Sequence, residues 1–320
     1  MTANSLAVSS ERTGKIMART AVVAALIVWL GAAAGAGPAG KHSAFPVTMR
    51  DALGRRVTVP TPPLRIVSLA PAMTEVLFAL GLADRVTGVT DYCNYPAATR
   101  SKPKVGGIVN PNVERILALK PQLVIGMRLN PKPVLGALSR AGVPTFAAEP
   151  RTIAEVLTTI TTVGALTGRR DEAARLVGSL DRRLQAVQRK VQRLPKPTVV
   201  FVCQQSPVWV AGADTFPDHA IRMAGGRNIA ATISGYKQYD VEMLVARNPD
   251  VILLTSMGGG DAQAELRAFV SRPSMRSLSA VQRSRVYVVD ADIVDRAGPR
   301  IVEAVEEIAA RLHPEAFSRR

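Results

Sequence analysis

One stretch of this chain occurs twice. VERILALKPQLVI at Val113–Ile125 returns as VEMLVARNPDVIL at Val241–Leu253, with Val113 and Val241, Glu114 and Glu242, Ile116 and Leu244, Ala118 and Ala246, and Pro121 and Pro249 in register. Each copy predicts a short helix followed directly by a buried strand. Asn112 and Asp240 stand where they can N-cap the helices, which puts each glutamate in the first turn. The proline then ends the helix, and Leu123–Ile125 and Val251–Leu254 predict parallel strands covered on both faces. Two copies so far apart mean two similar lobes and exclude a short-period solenoid.

The sequence around the repeat fills in the same plan. VTMRDALGRRVTVP at 47–60 predicts a hairpin, and strand and helix signals then alternate from Arg65 to Ala147, the pattern of an α/β parallel sheet. Residues 152–194 carry helix signals without strands. Thr152–Leu166 reads as one amphipathic helix and Asp171–Leu194 as a second, roughly 36 Å long. A helix of that length acts as a stiff spacer between the lobes, where a Gly/Ser linker would leave them free. The second lobe resumes at Thr198–Val202 and Val208–Ala211, with a loop over Ile233–Tyr239 before the second copy of the repeat. The fold class is therefore α/β: two similar lobes with parallel-type sheets joined by a long, rigid interlobe helix. Its divisions fall at 37–63 (linker and hairpin), 64–150 (first lobe), 151–196 (helical linker) and 197–320 (second lobe), and 320 residues leave room for a core in each lobe.

Residues 1–36 stand apart as a signal peptide. Arg12, Lys15 and Arg19 precede the apolar run Ala21–Ala34, and Ala34-Gly35-Ala36 resembles a small-residue cleavage site. The alternative is an uncleaved membrane anchor. No cysteine follows the run, which argues against a lipid anchor. The net charge of +16 suits nucleic acid or an anionic surface. An exported protein does not normally meet nucleic acid, so the charge is read as solvated. Cys93 and Cys203 fall in different lobes and are either a staple between them or, more simply, free thiols; no metal-binding cysteine spacing occurs. An enzyme is disfavoured: His42, His219 and His313 are scattered, and Gly258-Gly259-Gly260 lacks the Lys-Ser/Thr of a phosphate loop.

RIVSLAPAMTEVLFALGLADRVTGVTDYCNYP at 65–96, the two VE…LA…P blocks, WVAG at 209–212, AGGRNI at 224–229 and DRAGPRIVEA at 295–304 together carry a resemblance. They are similar to the substrate-binding proteins of bacterial ABC importers for vitamin B12, haem and ferric siderophores. The DYCNYP loop is most like that of the cobalamin-binding members. The resemblance implies a periplasmic protein without enzymatic activity or cofactor of its own. It implies a monomer that holds a corrinoid, or alternatively haem or a siderophore, between its lobes and delivers it to the permease and ATPase complex of the inner membrane. By the same resemblance Pro71, Tyr92, Trp209, Tyr236, Asp292, Asp295 and Arg296 fall on ligand-binding positions. Glu114 and Glu242 fall on positions that dock onto permease arginines. Ile108 stands where cobalamin binders can carry a Trp, a departure from their pattern. Each residue also has a plainer role open to it: Tyr92 can pack its own loop, Trp209 can be core, Arg296 can simply pair with Asp292 or Asp295, and either glutamate can simply favour its helix dipole.

Overall fold

A computed structural model describes residues 45–256 and 261–318. The signal segment 1–36 and the triple glycine 258–260 lie outside the described residues. Strands β1 (Val47–Arg50) and β2 (Arg56–Val59) form the expected antiparallel hairpin. Asp51 builds its turn. The carboxylate accepts from the backbone N–H groups of Leu53 and Arg55 and pairs with the Arg55 guanidinium at 2.6 Å.

The first lobe alternates β3 (Ile66–Ser68), α1 (Pro71–Ala79), β4 (Val86–Val89), α2 (Val113–Ala118), β5 (Leu123–Met127), α3 (Lys132–Arg140) and β6 (Thr145–Ala148). Its sheet has the order β4-β3-β5-β6 and is parallel throughout. Pro71 opens α1, where a missing N–H costs nothing, and Gly81 follows the helix at φ +72. Helices α4 (Ile153–Thr167) and α5 (Arg170–Val191) come next. Thr152 caps α4 by accepting from Glu155 N–H, and Gly168 in the left-handed region ends it.

The second lobe runs β7 (Thr198–Gln205), β8 (Val208–Ala211), α6 (Phe216–Met223), β9 (Arg227–Asn228), β10 (Tyr236–Gln238), α7 (Val241–Arg247) and β11 (Val251–Ser256). It continues through α8 (Ala262–Val270), α9 (Ser279–Gln282), β12 (Val286–Asp290), α10 (Ala291–Val294), α11 (Ile301–Leu312) and α12 (Pro314–Phe317). The sheet order is β10-β8-β7-β11-β12, with β9 beside β7. Strands β7, β11 and β12 are parallel, whereas β8 runs antiparallel to β7 and β10 runs antiparallel to β8. The second lobe thus departs from the all-parallel plan at one edge. The short β7–β8 connection is long enough for a hairpin but not for the crossover a parallel neighbour needs.

The repeat occupies equivalent places. In one sheet β5 lies between β3 and β6, and in the other β11 lies between β7 and β12. Ile116 and Leu244 are fully buried beneath their helices. Two details differ from the sequence reading. Asn112 accepts from Arg115 N–H as a cap, but the Asp240 side chain makes no capping bond. Each helix is also stopped one residue before its proline, by Lys120 at φ 47 and Asn248 at φ 41. The residue preceding a proline is pushed out of the helical region, and here it takes the left-handed one. Among the elements that the sequence does not predict, β10 lies within the loop over Ile233–Tyr239 and α8 covers Ala262–Val270.

Alternation along the strands sorts the core. Val200, Val202, Ile252 and Leu254 pack outward under Leu244 and Phe269, and Val67, Leu69 and Val124 pack under Ile116 and Leu135. The opposite faces, with Ile66, Leu123 and Ile125 from one sheet and Val199, Phe201 and Leu253 from the other, belong to a single apolar cluster. That cluster runs through α1, α4, α5, α6 and α11. The lobes therefore share a core in addition to the apolar cluster that each keeps for itself. Helix α5 is accordingly not a free-standing spacer. Its apolar face, Leu180, Leu184, Val187 and Val191, is buried in the shared cluster, and its Arg183 makes a two-pronged pair with Glu306 on α11 at 2.9 and 2.6 Å.

Candidate functional site

Parallel strands end together, and the loops beyond their carboxyl ends form a crevice. In the first lobe one side chain ties these loops together. Asn130, only 1% exposed, accepts from Met127 N–H at 2.7 Å and donates to the carbonyls of Leu69 and Ile108 at 3.0 and 2.8 Å. Gly126 makes room for it, because a Cβ there would sit 2.4 Å from Asn130 Oδ1. The loops so joined present exposed apolar groups, Val109 at 71% and Leu129 at 56%, with Tyr92 at 61%. The Tyr92 ring lies against the backbone of Gly107, 3.4 Å from where a Cβ would be. Such a wall offers contact area to a flat, partly apolar molecule. Of this wall the sequence points to Tyr92 alone, and not to Val109, Leu129 or the Asn130 that ties the loops together. A buried asparagine just past a strand leaves only a weak trace there.

The facing wall comes from the second lobe. Tyr236 on edge strand β10 is 40% exposed, and its hydroxyl donates to Asp295 Oδ1 at 2.6 Å. Burial raises the Tyr236 pKa, and the adjacent Asp295 charge raises it further. Burial likewise raises that of Asp295, partly offset by the hydrogen bond from Tyr236. The two share a proton-bearing bond that keeps the phenol neutral. Trp209 is half-buried on β8, opposite Gln238 of β10. Between the walls lies a cavity of about 410 Å³, lined by Met127, Leu129 and Arg151 from the first lobe and by Asp214, Phe216 and Tyr236 from the second.

A polar cluster joins the lobes along this crevice. Glu75 on α1 is 3% exposed, yet its partners lie in the other lobe. Arg300 Nε donates to its Oε2 at 2.9 Å, and Arg300 Nη2 and Arg296 Nη1 donate to its Oε1 at 2.7 and 3.1 Å. Asn94, at the tip of the DYCNYP loop, accepts from Arg296 Nη1 at 2.7 Å and donates to Asp292 Oδ2 at 2.7 Å. Arg296 Nη2 meets Asp292 Oδ1 at 2.7 Å. The Arg300 guanidinium lies over the Tyr95 ring, 4.0 Å from its centre. Arg296 thus pairs with Asp292, as one reading of the sequence had it. Asp295 belongs to Tyr236, and the buried partner of both arginines is Glu75 on α1.

Of the other residues named from sequence, Pro71 is buried at the start of α1. Glu114 and Glu242 are exposed in the first turns of α2 and α7, one on each lobe. Cys93 and Cys203 are both free. Cys93 is buried between the hydroxyls of Thr74 and Thr90, at 3.1 and 3.2 Å, and burial pushes the Cys203 thiol up to about 11. His219 lies beside Arg222 on α6, and burial together with that cation lowers its pKa. No group of three metal-ligating side chains occurs among the described residues, and none of their helices is long and apolar enough to cross a membrane.

Two α/β lobes on a shared core, with aromatic and polar side chains facing each other across the crevice, make a two-lobed binding protein. The chain belongs to the periplasmic binding protein family, whose model matches residues 66–293. It is 33% identical over 285 residues to the uncharacterized ABC transporter substrate-binding lipoprotein YvrC of Bacillus subtilis, covering 87% of this chain and 88% of that one. It is 31% identical over 310 residues to a cobalamin-binding protein of Halobacterium salinarum, covering 92% and 84%. The solved structure of a periplasmic haem-binding protein from Roseiflexus sp. RS-1, in its apo form, superposes with a TM-score of 0.70 at 30% identity, over 79% of this chain and 98% of that one.

Proposed function

We propose that this chain is the extracytoplasmic solute-binding component of an ABC importer, and that it captures a cobalamin or related corrinoid between its lobes. It then delivers the ligand to a permease and ATPase complex of the inner membrane. It works as a monomer and catalyses no reaction. The observation that carries the reading is the pairing of surfaces across the crevice. The Tyr92–Val109–Leu129 wall suits the face of a large flat ring, while Tyr236, Asp292, Asp295 and Arg296 offer donors and acceptors to its polar edge. The cobalamin-binding relative and the DYCNYP loop support the same choice. Glu114 and Glu242, exposed and equivalent in the two lobes, serve as the docking acids for arginines of the permease. The shared core keeps the lobes at nearly one angle when ligand enters.

A second reading, haem in place of a corrinoid, draws on the haem-binding structure, which superposes with a TM-score of 0.70. The two are separated by titrating the purified protein with cyanocobalamin and with haemin, following heat and visible absorption. The corrinoid reading expects one cyanocobalamin bound per chain. Binding of haemin without binding of any cobalamin overturns it.

A further inference from the structure

The cluster at the crevice edge bears on which ring this protein accepts. The chain carries a net charge of +16, yet the charged side chains described at the crevice have partners of their own. Arg296 and Arg300 are matched by Glu75 and Asp292, and the Tyr236 hydroxyl is held by Asp295. At the cavity, Arg128 and Arg151 both lie on Glu149, and Asp214 accepts from Ser234. Resting on the corrinoid reading, we propose that this charge-balanced edge selects a ring with uncharged amide arms and rejects one with carboxylate arms. Glu75 and Asp292 are the residues that impose the choice.

The donors and acceptors that remain free support this. A guanidinium has five N–H groups. Arg296 directs two from Nη1 to Glu75 and Asn94 and one from Nη2 to Asp292, leaving N–H groups that suit a neutral carbonyl. Asp292, with its side chain 32% exposed, can accept from an amide N–H of the ligand. An amide arm satisfies both kinds of partner. A carboxylate arm offers acceptors only, and its charge faces Asp292 and Asp295 while the two guanidiniums of the cluster are already matched by Glu75 and Asp292. Like charges brought together in this way are a specificity device more than an affinity device.

The test compares two rings that differ only in their edge: dicyanocobinamide, with amide arms, and dicyanocobyrinic acid, with carboxylate arms. The wild-type protein should bind the amide ring at least about tenfold more tightly, a gap of the size one unfavourable charge contact produces. Asp292→Asn removes one carboxylate from the more exposed side of the cluster and should narrow the ratio severalfold. Glu75→Gln, if it folds, should narrow it further. Equal binding of both rings by the wild type overturns this inference and leaves the corrinoid reading standing. An unchanged ratio in Asp292→Asn overturns the assignment to these acids. Binding of neither ring overturns the corrinoid reading itself, and the inference with it.

Discussion

Glu75→Ala isolates the most buried of the polar contacts described between the lobes. In the wild type one carboxylate, its side chain 2% exposed, accepts three hydrogen bonds from two guanidinium groups whose side chains are only 14% and 11% exposed. The substitution leaves both cations in place. Arg296 keeps Asp292 and Asn94, but Arg300 keeps only the Asp292 carbonyl at 3.2 Å and the face of Tyr95. Removing one partner of a buried pair typically costs about 3–5 kcal/mol, because the remaining charge stays desolvated and unmatched. Arg300 is the group so stranded, so a loss in that range is expected, with Arg300→Met in the same background recovering part of it. Urea unfolding of the single and double variants measures both quantities. A loss under about 1 kcal/mol would place this cluster with ordinary solvated surface pairs and refute the argument from burial.

Gly212→Ala should cost roughly 1–3 kcal/mol and loosen β10, since the new Cβ would sit 2.1 Å from the Ile233 carbonyl oxygen; thermal unfolding and Tyr236 fluorescence report it. Asp295→Asn should stabilise the fold only slightly near pH 7, since the residue is exposed and solvent screens its charge. Burial raises the folded pKa of this acid above its ordinary value, so its charge is a cost that is fully present above the raised pKa and fades as pH falls toward the ordinary carboxylate range. Melting curves of the two proteins should therefore converge in acid, and a difference that grows as pH falls would reverse the sign assigned here. The double substitution Glu114→Ala with Glu242→Ala should spare folding and ligand affinity and abolish ligand-stimulated ATPase activity of the cognate transporter in vesicles. Retained stimulation would return both acids to a helix-dipole role.

What the sequence determined by itself is what depends on local pattern. The repeated helix–strand unit, with Ile116 and Leu244 inward and Glu114 and Glu242 outward, needs only the period of each element and the punctuation of Pro121 and Pro249. The hairpin around Asp51 and the start of α1 at Pro71 are legible for the same reason, since the residues that make them are neighbours in the chain. The tertiary structure decided what is shared between distant segments. Val199 and Phe201 read as apolar whether their core belongs to one lobe or to both, so the common cluster beneath both sheets left no mark of its own. Strand β10 is three exposed residues, Tyr236–Gln238, and exists only because β8 offers it an edge. Glu75 shows the limit most clearly. Within its own helix it is one acid among apolar residues, and its meaning comes from Arg296 and Arg300, more than two hundred positions away. The cost of burying a lone charge fixes that such a carboxylate must find a partner; only the packing of one lobe on the other decides which.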